Sequence, residues 1–109
     1  MVYVAKAHTA MTSDFNAHLV FIVVEFHIPG SNSLKAKRKV VKSVIERIRS
    51  KFNASVSELA YLDKWQRAAI GISMLNNNRK VLEKHYSGIE QVLRGYTNIE
   101  LLNITIEWI

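Results

Sequence analysis

The residues whose types and spacing could bind a charged ligand lie in one short segment, which reads SLKAKRKVVKSVIERIRSK at positions 33–51. Eight of its nineteen residues are Lys or Arg, and one, Glu46, is acidic. The whole chain carries a net charge of +6, so the excess positive charge is concentrated in this segment. A local concentration of cations attracts polyanions, whereas a diffuse excess mainly affects solubility. The segment therefore predicts binding to a polyanion such as RNA.

The segment is predicted to be a helix, because Ser33 is a favourable N-cap and apolar residues recur at helical spacing as far as Phe52. Cations in its first turn face the positive end of the helix dipole, which disfavours each of them by about 0.3–1 kcal/mol. Free backbone N–H groups at that end favour an anion. The side chains predicted to contact phosphates, without reading bases, are Lys35, Lys37, Arg38, Lys39 and Lys42. The alternative is an ordinary solvated helix face.

Lys37 differs from the other cations, because its helical angle places it within the apolar stripe near Val41 and Val44. A lysine there must extend past the end of the sheet or meet a carboxylate. Glu58 and Asp63 are the candidate carboxylates. Two roles therefore stay open for Lys37, a structural ion pair, which its position favours, and a contact with the ligand.

A tight turn near Asp63 precedes the sequence WQR at 65–67. We expect Trp65 to be a packing anchor, and Arg67 either to pair with Glu58 across a hairpin or to extend the basic surface. The residues predicted to be structural or to extend that surface are Glu58, Asp63, Trp65, Gln66 and Arg67.

Several exclusions follow from the composition. The chain has no Cys, which excludes disulfides, thiolate metal sites and a Cys nucleophile. Its four His residues lack metal-ligand spacing, and no phosphate-binding loop or nucleophile elbow is present. No apolar run approaches the roughly 18–20 residues of a membrane span. We therefore expect no cofactor, no metal, no enzymatic activity, no membrane association and a cytoplasmic location, and the sequence does not indicate a small-molecule ligand.

The elements that must position these residues follow the order β-α-β-β-α-β. Strands are predicted at 19–28, 54–61, 65–75 and 99–109, the second helix begins at the NNN of 76–78, and Gly95 ends it. This order predicts an α+β ferredoxin-like sandwich, an antiparallel four-stranded sheet with two helices on one face and strands one and three at the centre. Residues 18–109 form this single domain, and 1–17 are an extension, either disordered or an extra edge strand. The core face of the last strand is predicted to be Leu102, Ile104, Ile106 and Trp108.

The sheet face away from the helices is apolar at one end and polar at the other. The residues predicted at the apolar end are Leu19, Phe21, Val23 and Leu75. Those at the polar end are Glu25, His27, Arg67, Asn103, Thr105 and Glu107. Burial of the apolar end in a homodimer, or under residues 1–17, is the simplest explanation. The polar end is either a solvated surface or a site. Base stacking on the central strands is disfavoured, because the third strand offers Ala69, Gly71 and Ser73 there.

Three short stretches also resemble the YlxP-like family, an uncharacterised bacterial domain of unknown function. The first is Ser-Leu-Lys-x-Lys-Arg at 33–38, the second Phe-Asn-x-Ser-Val-x-Glu at 52–58, and the third Asp-x-Trp-Gln-Arg at 63–67. The resemblance covers about residues 18–109 and implies a small ferredoxin-like domain whose genes commonly neighbour translation-initiation and ribosome-maturation factors. Tyr61 and Leu62 replace the His-Gln often found before the Asp, so no role for that His carries over.

Two functions follow as hypotheses. The first is a non-enzymatic RNA- or ribosome-associated accessory protein that contacts phosphates through the first helix. The second is a homo-oligomeric scaffold or protein-binding module that uses the open sheet face.

Overall fold

The computed structural model describes residues 15–109 as two helices packed on one antiparallel sheet. The elements are β1 (His18–His27), α1 (Leu34–Lys51), β2 (Ser55–Ala60), β3 (Arg67–Asn76), α2 (Arg79–Arg94) and β4 (Glu100–Trp108). The strand order is β2-β3-β1-β4, so β1 and β3 occupy the centre. The predicted ferredoxin-like architecture is confirmed.

The hydrophobic core lies between the sheet and the helices. Alternate residues of the central strands point to the same face, and those that face the helices are fully or almost fully buried. They are Val20, Ile22, Val24 and Phe26 of β1, and Ala68, Ile70, Ile72 and Met74 of β3. The helices contribute Val41, Val44, Ile48, Leu82, Ile89 and Leu93. The apolar residues that recur at strand or helix spacing therefore pack together in one layer between the sheet and the helices.

Side-chain caps fix where the helices begin. The Ser33 hydroxyl accepts a hydrogen bond from the Ala36 amide at 3.0 Å, and the Asn78 side chain accepts one from Lys80 at 3.0 Å. Each bond satisfies one of the amides that the first helical turn leaves without a partner. Gly95 ends α2 as predicted, since its amide donates to the carbonyl of Gln91 at 3.1 Å.

The outer edge of β2 is joined to α1 by an arginine. The guanidinium of Arg49 donates a 2.7 Å hydrogen bond to the main-chain carbonyl of Val56. Because β2 is the edge strand next to α1, this bond holds the C-terminal half of the helix to the sheet.

The prediction for the core face of β4 is wrong at Leu102. A register shift in the β1–β4 pairing falls between Glu25 and Phe26, and it places Leu101 opposite Phe26. Leu101 packs against the core, whereas Leu102 is 51% exposed. A β-bulge adds a residue to one strand and so reverses the facing of everything beyond it. Ile104, Ile106 and Trp108 lie on the predicted face, since they pair with Val24, Ile22 and Val20. Ile104 and Trp108 pack against the core, whereas Ile106 is 37% exposed.

The predicted extension at 1–17 lies mostly outside the described residues, which begin at Phe15. Residues 15–17 have no regular secondary structure, and the side chain of Phe15 is exposed.

Candidate nucleic-acid interface

Four cations of α1 are exposed near its N-terminus, and we call them the basic front. They are Lys35, Arg38, Lys39 and Lys42. The first turn reads Leu-Lys-Ala-Lys and contains no acidic residue. Lys42 lies 3.9 Å from Glu46, and both side chains are largely in solvent, so this pair neutralises little charge. The basic front is thus available to an anion.

Lys37 must be removed from the set of side chains predicted to contact phosphate. It is fully buried, and its ammonium donates hydrogen bonds to Glu58 at 2.6 Å and to the Tyr61 carbonyl at 2.7 Å. A buried charge needs such partners, because burial without them costs several kcal/mol. Of the two candidate carboxylates Glu58 is the partner, and Asp63 remains exposed at the turn.

Tyr61 connects this buried pair to the opposite face of the sheet. Its backbone has a φ of 60°, a left-handed conformation that non-glycine residues adopt infrequently. Its carbonyl accepts the bond from Lys37, and its hydroxyl donates to Glu25 at 3.2 Å. The guanidinium of Arg67 lies 4.5 Å from the centre of its ring, within the range of a cation–π contact. Sequence reasoning missed this residue, since neither a left-handed backbone nor a contact between faces leaves a periodic signal.

The predicted pairing of Arg67 with Glu58 is wrong. Arg67 is opposite His27 on the open face, whereas Glu58 is opposite Ile70 on the helix face. The guanidinium therefore meets Glu25 on its own face, at 3.2 Å.

The turn before β3 is held against the loop that leads into α1. The Gln66 side chain donates to the Ser31 carbonyl at 3.1 Å, and the Gln66 carbonyl accepts from the Ile28 amide at 2.9 Å. Gln66 is thus structural, as predicted. These bonds place the turn and the N-terminus of α1 at the same end of the molecule.

Trp65 is not the packing anchor that the sequence predicted, because its side chain is 52% exposed. It lines an open hollow of about 480 Å³, which we call the Trp65 hollow. The residues that line it are His27, Tyr61, Lys64, Trp65, Gln66 and Arg67. An exposed aromatic ring beside Lys64 suits a planar ligand that carries negative charge.

The apolar end of the open sheet face carries the predicted residues and one further apolar side chain. The predicted placement of Thr105 and Glu107 at the polar end is wrong, because they pair with Val23 and Phe21 at the apolar end. Leu19 pairs with Leu75, which is 62% exposed, and Val23 pairs with Gly71. Leu59 was not predicted there, yet it lies over Gly71, where an added Cβ atom would be 2.5 Å from its Cδ1. The missing side chain at Gly71 therefore lets Leu59 close over the sheet beside Phe21.

Among residues 15–109 no group of three or more His, Cys, Asp or Glu side chains could hold a metal ion. Burial raises the pKa of the Tyr86 phenol, Glu90 raises it further and Arg94 opposes the rise, so this group stays neutral at neutral pH. No helix among the described residues is long and apolar enough to cross a membrane.

Comparison with known proteins identifies the family. Residues 19–106 match the family model described as Protein of unknown function (DUF503). The chain is also 35% identical over 88 residues to the Uncharacterized protein YlxP of Bacillus subtilis (strain 168), and the aligned region covers 81% of this chain and 96% of that protein. The family model begins in β1 and ends in β4, in agreement with the resemblance noted in the sequence. The chain therefore belongs to the DUF503 family of proteins of unknown function.

Proposed function

We propose that the protein is a non-enzymatic accessory factor that binds RNA in the cytoplasm, through phosphate contacts from the basic front of α1. One observation carries this proposal: four exposed cations crowd the N-terminal half of a helix whose first turn contains no acid. Association with the ribosome is part of the proposal, and it rests only on the YlxP-like resemblance.

The physical reason lies in the electrostatics of the helix end. The dipole and the cations are both positive there, so folding places like charges together at a small cost in stability. A phosphate between them would accept hydrogen bonds from the lysines and be attracted by the dipole. Such contacts fix the position of a strand without reading its bases.

Salt dependence tests this proposal directly. If the four cations each neutralise one phosphate of a single strand, the slope of log K against log salt is about −2.8. We expect a variant with Lys35, Lys39 and Lys42 changed to Glu to lose about 100-fold in affinity at 0.1 M salt and most of the slope. Fluorescence anisotropy with a labelled single-stranded RNA measures both quantities.

A matched control changes Lys51, Lys80 and Lys84 to Glu, which alters the net charge equally at exposed positions outside the basic front. We expect this variant to keep most of the slope. The proposal is rejected if the front variant stays folded and binds RNA with unchanged salt dependence, or if both variants lose affinity equally.

A second candidate function is favoured by the apolar end of the open face. Leu59 and Leu75 are at least half exposed beside Leu19, Phe21 and Val23, and apolar clusters of this kind mark interaction sites. A homo-oligomeric scaffold or a protein-binding module would bury them. Sedimentation equilibrium distinguishes a homodimer from a monomer.

A further inference from the structure

Trp65 is unusual in being half exposed while its neighbours are held firmly in place. Tryptophan is highly buried on average, yet here the ring is 52% exposed. The two residues that follow it are held in place, because Gln66 bonds to the loop before α1 and Arg67 pairs with Glu25. Trp65 is therefore presented to solvent by an ordered turn.

Several side chains that line the Trp65 hollow already have partners, whereas within residues 15–109 those of Lys64 and Trp65 are exposed to solvent. One face of the Tyr61 ring is covered by Arg67. His27 lies 3.7 Å from Glu100. Lys64 is exposed at the rim. The volume of about 480 Å³ falls within the range of small-ligand sites.

The hollow and the basic front lie at the same end of the molecule. The Lys37 ammonium, from the first turn of α1, bonds to the carbonyl of Tyr61, which lines the hollow. Gln66 bonds to Ser31, two residues before the helix N-cap Ser33. These two bonds place the turn that carries Trp65 beside the start of α1, where the basic front also begins.

We propose that the Trp65 hollow holds one base of a single-stranded RNA, stacked on the exposed indole, while its phosphates contact Lys64 and the basic front. This inference rests on the proposed function and adds a substrate class to it. An unpaired base can leave its own stack and lie on an aromatic side chain, whereas a base within a duplex cannot. Stacking is tolerant of sequence, since every base has a flat π-face.

Trp65 fluorescence reports the stacking directly. The chain has two tryptophans, and changing Trp108 to Phe leaves Trp65 as the sole tryptophan, which can be excited selectively over the tyrosines. We expect a short oligouridylate to quench this emission. We expect an abasic strand of equal length and charge to leave it unchanged and to bind about tenfold more weakly. Equal binding of both strands without quenching overturns the inference.

Substitution of Trp65 separates stacking from phosphate binding. We expect Trp65→Ala to weaken binding of the oligouridylate by about 5- to 150-fold without changing the salt slope. Trp65→Phe should recover most of that loss, because it restores an aromatic face. Leu62→Ala is the control, since Leu62 is a similarly exposed apolar residue of the same turn.

The results also separate this inference from the function on which it rests. If Trp65→Ala binds RNA as the wild type does while the basic-front variant loses its salt slope, the stacking site is wrong and phosphate binding stands. If the oligouridylate does not bind at all, both are wrong. Quenching by a polyglutamate peptide but not by the oligouridylate overturns the inference in favour of an acidic protein partner.

Discussion

At the scale of single residues, the ion pair of Lys37 and Glu58 joins α1 to β2 next to the proposed interface. The lysine was recognised in the sequence because a cation within an apolar stripe conflicts with helical periodicity. Its partner could be narrowed to two carboxylates but not chosen, since the choice depends on which face of β2 each one occupies. The role of Tyr61 was not visible at all.

Removing only the lysine of the Lys37–Glu58 pair should lower the free energy of unfolding. We expect Lys37→Met to lower the free energy of unfolding by about 3 kcal/mol, because it leaves Glu58 without its cation in a largely buried place. The double variant Lys37→Met with Glu58→Leu should come within about 1 kcal/mol of the wild type. Urea denaturation measures each value.

Lys39→Met is the matched control, since Lys39 is an exposed neighbour on the same helix, and its effect should stay within about 0.5 kcal/mol. A double variant no more stable than Lys37→Met alone would show that the loss comes from something other than an unpaired carboxylate.

Gly30 provides a second test at this scale, in the loop between β1 and α1. Its φ is +75°, and an added Cβ would meet nothing within 4 Å. The effect of Gly30→Ala is therefore purely conformational, and we expect a loss of about 1–2 kcal/mol in the free energy of unfolding. Gly30→Asn should lose less, because asparagine tolerates this conformation. Thermal denaturation of both variants checks the order, and equal losses would contradict it.

At the scale of elements, the sequence predicted all six helices and strands to within two residues at most ends. Periodicity, the Ser33 cap and Gly95 each carry a local signal, which is why these boundaries could be read. The bulge in the β1–β4 pairing carries none, since it arises where two distant segments meet. An unbroken alternation in β4 therefore predicts Leu102 in the core, and the bulge instead places Leu101 there.

Helix α1 allows a test of whether a cation in its first turn lowers the stability of the fold while it strengthens RNA binding. We expect Lys35→Glu to raise the free energy of unfolding by about 0.5–1 kcal/mol at low salt, because an acid then faces the positive end of the dipole and pairs with Lys39 one turn later. The same substitution should weaken RNA binding. Urea denaturation and anisotropy on one preparation measure both.

Lys51→Glu at the other end of α1 is the matched control, since Lys51 is an exposed residue of the last turn. It should lower stability, because the dipole there favours cations. Stabilisation by both substitutions would rule out the dipole as the cause.

At the scale of the whole molecule, the surface that we propose for polyanion binding differs from the surface that we propose for self-association. The basic front and the Trp65 hollow lie at the end where α1 begins, and the apolar residues of the open face lie towards Leu19 and Leu75. The basic front could be predicted from the distribution of charge along the sequence, and the apolar end of the open face from the alternation of residues in the strands. The Trp65 hollow could not be predicted, since Trp65 was expected to be buried.

If the open face forms a homodimer, Leu75→Asp should dissociate it. Leu75 is 62% exposed in the single chain, so a charge there leaves the folded monomer intact while it opposes burial in an interface. Sedimentation equilibrium should show a change from dimer to monomer. Leu102→Asp is the control, because Leu102 is similarly exposed but lies beside α2. A wild type that is monomeric at high concentration removes the basis of this candidate.

The bond from Arg49 to the Val56 carbonyl bears on whether β2, an edge strand, can pair with a strand of another copy of this chain. An uncovered edge strand can add a strand from a neighbour and so start a fibril. The Arg49 guanidinium occupies an acceptor of β2 that an incoming strand would use. We therefore expect Arg49 to hinder the addition of a further strand at β2, so that any association through the open face would stay limited to a few copies.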